Sequence, residues 1–203
     1  MSIQFKIFLY IIIVISAVVH EYSHGWTANY LGDPTAKREG RLTLNPLKHV
    51  DPFGTVIIPL FLLFFAGGFI GWAKPVPYNP YNLRGKYGSA KVGAAGPASN
   101  FFLALIFGIT VRFISPESAL YIPLIWITYV NIFLGLFNLI PLPPLDGSKL
   151  LMNFFPESRK LKQLGSSMVG VLLAVGLAMI ILPTLSNMVY ALIVGHQFLG
   201  LTF

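Results

Sequence analysis

Apolar residues run from Ile7 to Val19 with only Ser16 interrupting, and further apolar stretches follow at Phe53 to Trp72, Val92 to Ile114, Leu120 to Ile140 and over roughly the last forty residues. About 20 residues at 1.5 Å each match the ~30 Å hydrocarbon core of a bilayer. There every backbone N–H and C=O must be satisfied within the chain, so such stretches are read as helices. With 55% hydrophobic residues, only 10% charged and a mean hydropathy of +0.72, the chain departs strongly from soluble-domain usage. Its 203 residues leave room for one bundle and none for a separate soluble domain. The expected fold is an all-α polytopic membrane protein: a helical bundle of about four to six membrane segments, with a short strand or re-entrant element between the first and third apolar segments, as a single domain over residues 1–203.

The first run is not read as a cleaved signal, because it continues through Val18-Val19-His20-Glu21 where a small-residue cleavage site would stand. It reads as a retained helix from about Phe5 to Tyr30, stopped by Gly32-Asp33-Pro34. Arg41-Leu42-Thr43-Leu44-Asn45-Pro46 alternates like a short strand, and the prolines of Lys74 to Pro80 predict extended backbone. Ser148 to Gln163 mixes basic and apolar residues as an interfacial segment does. As one helix the last forty residues would measure about 60 Å, so a bend near Pro183 is expected. The net charge of +7 is assigned to loops on the cytoplasmic side. No nucleic-acid partner is expected, for no basic run carries interleaved aromatics. With no cysteine in the chain, any metal site is left to His, Asp and Glu.

His20-Glu21-Tyr22-Ser23-His24 closes the first apolar run. Residues four apart stack on one helix face, so His20 and His24 can converge on one Zn²⁺, with Glu21 beside the water the metal activates. Zinc brings that water's pKa from 15.7 down to about 7, and a carboxylate can then take its proton and pass it to the leaving amine. The plainer reading is a helix end whose polar residues meet water; against it, such groups are expensive in an apolar stretch without a task. A catalytic zinc wants a third protein ligand. Asp146 is the best candidate, in Asn138-Leu139-Ile140-Pro141-Leu142-Pro143-Pro144-Leu145-Asp146-Gly147, where prolines break an apolar helix and deliver a lone carboxylate. An ordinary Asp-Gly turn has the same local pattern, and only the conjunction with the histidine motif favours a ligand.

These segments together resemble the site-2 protease family of intramembrane zinc metalloproteases. The histidine motif, Asn138 through Gly147, and Gly96-Pro97-Ala98-Ser99-Asn100 carry the likeness. Gly40 to Pro46 and Gly71 to Pro77 look like its compact prokaryotic branch, without PDZ-like or cystathionine-synthase-like domains. The resemblance implies one Zn²⁺ per chain on His20, His24 and Asp146, Glu21 as general base, and Asn138 stabilising the tetrahedral intermediate. It implies cleavage in or near transmembrane segments of membrane proteins, by an enzyme integral to a prokaryotic cell membrane. A catalytically inactive metal-binding scaffold or a metal transporter is the rival, though a transporter would need ionisable residues along several spans.

His24 and Asp146 each follow an apolar helix, so the two helices must run the same way for the ligands to meet. A full crossing by Phe53 to Trp72 would make them antiparallel. Lys37, Arg38, Arg41 and Lys48 precede that stretch, and Lys74, Arg84, Lys86 and Lys91 follow it; both groups should face the cytoplasm. The stretch is therefore expected to enter and return, or to pack against the bundle, bending near Gly67-Gly68, with the active site toward the cytoplasmic side. Asn100 and Val76 are candidate substrate contacts, Val76 through strand addition by Ala73 to Pro77 and Asn100 with interhelical bonding as its alternative. His49 with Asp51 is a possible metal or relay pair, although an interfacial turn suits it better. His196 is expected at the interface, Trp72, Trp126 and the tyrosines in aromatic belts, and Gly93 and Gly96 at close helix contacts.

Overall fold

The computed structural model describes residues 2–62, 65, 73–154 and 168–198. Two compact units divide the chain, Met1–Gly88 and Ser89–Phe203.

In the first unit, helix α1 spans Ile3–Tyr30, about 42 Å long at 1.5 Å per residue. Ser2 begins it by accepting from the Phe5 N–H. Its end has a local cause: the Gly32 N–H bonds Asn29 and the Asp33 N–H bonds Ala28, a closing pair of bonds that needs a left-handed residue between. Gly32 supplies it, with φ +106°. A short helix α2, Thr35–Arg38, follows. Beyond the turn at Pro46–Lys48, Asp51 caps a widened helical stretch, Pro52–Ile57, by accepting from the Phe53 and Gly54 N–H groups, and α3, Ile58–Phe61, continues it. Pro59 has no N–H to give the Thr55 carbonyl four residues earlier. The Tyr10 hydroxyl donates to that carbonyl instead, at 2.9 Å, which ties this stretch to α1.

Two expectations need correction here. Arg41 to Pro46 is not a strand, and no strand occurs among the described residues. The reason lies in its neighbour: Pro75 and Pro77 have no N–H, so Lys74 to Pro77 cannot return a ladder. Of Phe53 to Trp72, the described part is helical throughout, with no return among those residues. Pro52–Phe61 is too short to cross a membrane, and the expected bend at Gly67-Gly68 lies outside the described residues.

In the second unit, α4 spans Gly88–Val111, α5 Tyr121–Leu139, α6 Gly147–Phe154 and α7 Met168–Val194. Ile3–Tyr30, Gly88–Val111, Tyr121–Leu139 and Val175–Val194 are each long and apolar enough to cross a membrane, four candidate spans among the described residues. Ala104, Val111, Ile132, Tyr190 and Val194 form the core where α4, α5 and α7 meet. A Cβ on Gly108 would fall 2.9 Å from Thr128 Cγ2 and closer still to Ile193, so only glycine permits this approach. Arg112 closes the C-terminal end of α7 by donating to the Leu192 and Ile193 carbonyls. Helix α7 runs through Pro183 unbroken over about 40 Å, so its excess over the bilayer calls for tilt or protrusion rather than a second span. The interfacial segment expected from Ser148 is helical through Phe154, and its remainder lies outside the described residues.

Candidate active site

The last turns of α1 bring His20 and His24 together. Both are buried, their rings meet edge to face, and their Nε2 atoms stand 3.0 Å apart. Two neutral imidazoles can share only one proton there. Nitrogen ligands of a tetrahedral zinc at about 2.0–2.1 Å stand about 3.3 Å apart, so the pair fits a zinc ion after a shift of about 0.3 Å.

Glu21 is half-buried on the same turn, and its Oε2 accepts the Val76 backbone N–H at 2.8 Å. Val76 belongs to the extended stretch after Ala73, which several groups of the first unit hold in place. Arg41 donates from one terminal nitrogen to the Lys74 carbonyl at 2.7 Å and the Pro75 carbonyl at 3.2 Å. Lys74 donates its N–H to the His49 carbonyl, while the His49 Nε2 bonds the Thr43 carbonyl. Gly25, one residue past His24, leaves room for the Val76 side chain, since a Cβ there would stand 2.9 Å from Val76 Cγ1. Further along, Asp33 is fully buried and accepts from the Thr35 N–H and hydroxyl, the Asn79 N–H and the Asn82 amide. Burial pushes its carboxyl up, but those four hydrogen bonds outweigh burial and leave the pKa lowered. Asp33 thus clasps residues 79–82 to the end of α1.

In the second unit, α5 stops at Leu139 and the chain passes through Pro141, Pro143 and Pro144 to a buried Asp146. Gly147 is packed against the Leu139 and Ile140 carbonyls, where a Cβ would overlap them. This explains the glycine after the aspartate: any side chain would drive the loop off the end of α5. The Asp146 Oδ1 pairs with Lys149 Nζ at 2.8 Å. Gly93 of α4 makes room beside this pair, since a Cβ there would meet the Lys149 stem at 2.9 Å and the Asp146 carbonyl at 3.2 Å. Asn138 donates one amide hydrogen to the Leu134 carbonyl, which leaves the second for another acceptor.

Other expected site residues have different surroundings. Asn100 is fully buried and donates to Asn131 on α5, as interhelical glue would. Val76 meets Glu21 through its backbone and is buried through its side chain. The N–H groups of Lys74 and Val76 are both taken, and Pro75 and Pro77 have none, so this stretch has no donor there for an incoming substrate strand. Asp51 serves as a helix cap, its carboxylate turned to the Phe53 and Gly54 N–H groups, and the His49 carbonyl accepts from the Lys74 N–H. His196 bonds the Tyr121 hydroxyl near the start of α5. Trp126 is not in an aromatic belt: it is buried, edge-on to Tyr129 and Phe198. Trp72 lies outside the described residues. Sequence reasoning missed Arg41 and the Val76 N–H; an arginine in a segment written as a strand was their only trace.

Comparison with known proteins adds three results. Peptidase family M50 matches the chain over residues 8–122 and 114–183. The chain is 38% identical over 166 residues to the protein named "Putative zinc metalloprotease YwhC" from Bacillus subtilis, covering 76% of this chain and 72% of that one. It is 33% identical to Rip2 of Mycolicibacterium smegmatis, which bears the same description, over 79% of this chain and 64% of that protein. "Zinc metalloprotease MJ0392" of Methanocaldococcus jannaschii is 27% identical over 86% of this chain and 41% of its own length. No solved structure matches. A family match that runs from residue 8 to 183, on a chain with four membrane-length helices among its described residues and a paired-histidine motif, shows that the protein belongs to peptidase family M50, the site-2 proteases.

Proposed function

We propose that the protein is an intramembrane zinc endopeptidase that hydrolyses peptide bonds in or near transmembrane segments of membrane proteins, with one Zn²⁺ held by His20, His24 and Asp146. The observation that carries this reading is the arrangement on the last turns of α1, where a carboxylate fixed by a backbone amide sits one residue after His20 and three before His24, whose Nε2 atoms face each other at 3.0 Å. The family and the relatives' names support zinc as the metal. When bound, zinc supplies a Lewis acid for the scissile carbonyl and lowers the pKa of water to about 7. Glu21 takes the proton from the attacking water and returns it to the leaving amine. The second Asn138 amide hydrogen is assigned to the oxyanion, and the two histidines with Asp146 are the metal's protein ligands.

A peptide bond in a transmembrane helix is shielded, so the substrate must unwind before attack. The basic residues on both sides of Pro52–Phe61 support a cytoplasmic-side site, with α1 running inward, α4 outward and α5 inward. In this scheme the C-terminal ends of α1 and α5 face the same side. A single cysteine in place of Lys74, labelled in oriented vesicles, tests the scheme: access only from outside would overturn it. The activity is tested with purified protein and a transmembrane reporter, wild type against Glu21→Gln, with and without a zinc chelator. Cleavage is expected in the untreated wild type alone, and equal cleavage in all samples would end the protease reading.

A further inference from the structure

The zinc motif puts a carboxylate on a helix, and a glutamate there has three side-chain torsions to fix. We propose that residues 73–77 are a strap whose Val76 amide fixes the Glu21 carboxylate, and that Arg41 is the positioning residue that holds the strap; the inference rests on the protease reading above.

The strap is a directed donor. Pro75 and Pro77 flank Val76, fix their own φ and restrict the residue before each, so the Val76 N–H is the only donor between Lys74 and Tyr78 and its direction is set by the backbone. It meets Glu21 Oε2 at 2.8 Å, and proton transfer then falls to Oε1. Three further contacts keep it there. Arg41 donates to the carbonyls of the two residues just before Val76. The His49 carbonyl accepts from Lys74, and the bare face of α1 at Gly25 seats the valine side chain. Arg41, His49 and Val76 are 7%, 1% and 6% exposed, so these bonds do not compete with bulk water. Both bonds leave one terminal nitrogen, whose two N–H groups are fixed in the guanidinium plane, whereas those of a lysine ammonium turn freely at the end of a shorter stem. Arg41 touches neither substrate nor metal in this account: it acts on Glu21 through the strap.

Misplacing a reacting group by about 1 Å costs on the order of 100-fold. Arg41→Ala and Arg41→Lys are therefore expected to lower kcat by about 10- to 100-fold, with KM within about twofold of wild type and zinc content unchanged. Added guanidinium should restore part of kcat in Arg41→Ala. Val76→Pro, which removes the N–H from backbone already extended, should fall at least about tenfold below Val76→Ala, which keeps it. A second readout needs no activity: amide hydrogen exchange at Val76 should quicken at least about tenfold in Glu21→Ala and in Arg41→Ala. Unchanged Val76 exchange in Glu21→Ala would overturn the strap. So would wild-type kcat in both Arg41 variants, or loss of zinc and activity together, which would make Arg41 a general structural support. If wild type itself cleaves nothing, the protease reading fails while the exchange experiment still decides whether the strap holds Glu21.

Discussion

The two units hold their candidate ligands by opposite means. On α1, regular helix geometry alone places His20 against His24, and the chain adds a strap from elsewhere in its unit to hold the Glu21 carboxylate. At Asp146 there is no regular backbone: prolines end α5, Gly147 allows the loop to fold back on the helix end, and Lys149 holds one carboxylate oxygen. The helix therefore supplies ligand spacing cheaply but leaves a long side chain to be steered. The loop steers its short aspartate by backbone shape, at the cost of depending on a residue without a side chain.

The largest effects should separate binding from chemistry on the α1 side. His20→Ala is expected to abolish zinc retention and to lower activity beyond about 1,000-fold, measured by metal analysis beside reporter cleavage. Glu21→Gln should lower kcat by about 100- to 10,000-fold with zinc retained. If Glu21→Gln lost the metal as well, the division between ligand pair and steered base would collapse.

Gly147→Ala comes next and attacks the loop alone. The added methyl has no room against the Leu139 and Ile140 carbonyls, and overpacking of this kind costs about 1–3 kcal/mol. A lowered thermal midpoint together with weakened zinc binding is expected. A variant with wild-type zinc affinity would show that Asp146 does not depend on this fold-back.

How much of this was legible in the sequence follows the same division. The membrane helices were, because hydrophobic runs of the right length allow little else: Phe5 to Tyr30 was expected and Ile3–Tyr30 is found. The histidine turn was legible because i and i+4 always share a face. Arg41 to Pro46 misled because alternation is necessary for a strand and insufficient for one; a ladder also needs donors opposite, and the facing stretch has prolines in their place. Trp126 misled in the same way, since an aromatic residue in an apolar helix reads alike at a membrane boundary and in a helix-packed core. The Val76 bond to Glu21 spans 55 positions and uses a backbone atom, which no side-chain pattern can announce.

Lys149 sharpens the comparison at smaller scale. Removing a group that hydrogen-bonds a metal ligand typically weakens the metal by about 10- to 100-fold, and the partial exposure of this lysine places it at the lower end. Lys149→Met is expected to weaken zinc about tenfold in chelator competition, and Lys149→Arg to recover most of that. If Lys149→Met left zinc affinity unchanged, the ion pair would be an ordinary surface contact and the loop's shape would suffice.

The smallest effect tests the clasp at the far end of the strap. Asp33 lies beyond α1, and its carboxyl is lower in the folded protein than in the unfolded chain, where it titrates near 3.9. Between those values the unfolded chain binds the extra proton, so stability rises with pH there. The contribution is fully present above about pH 4 and is lost as pH falls through the lowered folded value. Asp33→Asn keeps an acceptor for some of the four donors but removes the charge, which should cost about 1–3 kcal/mol at neutral pH. Below the folded value both proteins carry a neutral side chain, so the difference between them should shrink as the pH falls through that window. Thermal midpoints of the two proteins at pH 7 and pH 3 check this. A gap that stays constant would mean that Asp33 acts by shape and hydrogen bonding alone. A gap that closes, with kcat of Asp33→Asn reduced at neutral pH, would extend the strap's influence on Glu21 to the turn that ends α1.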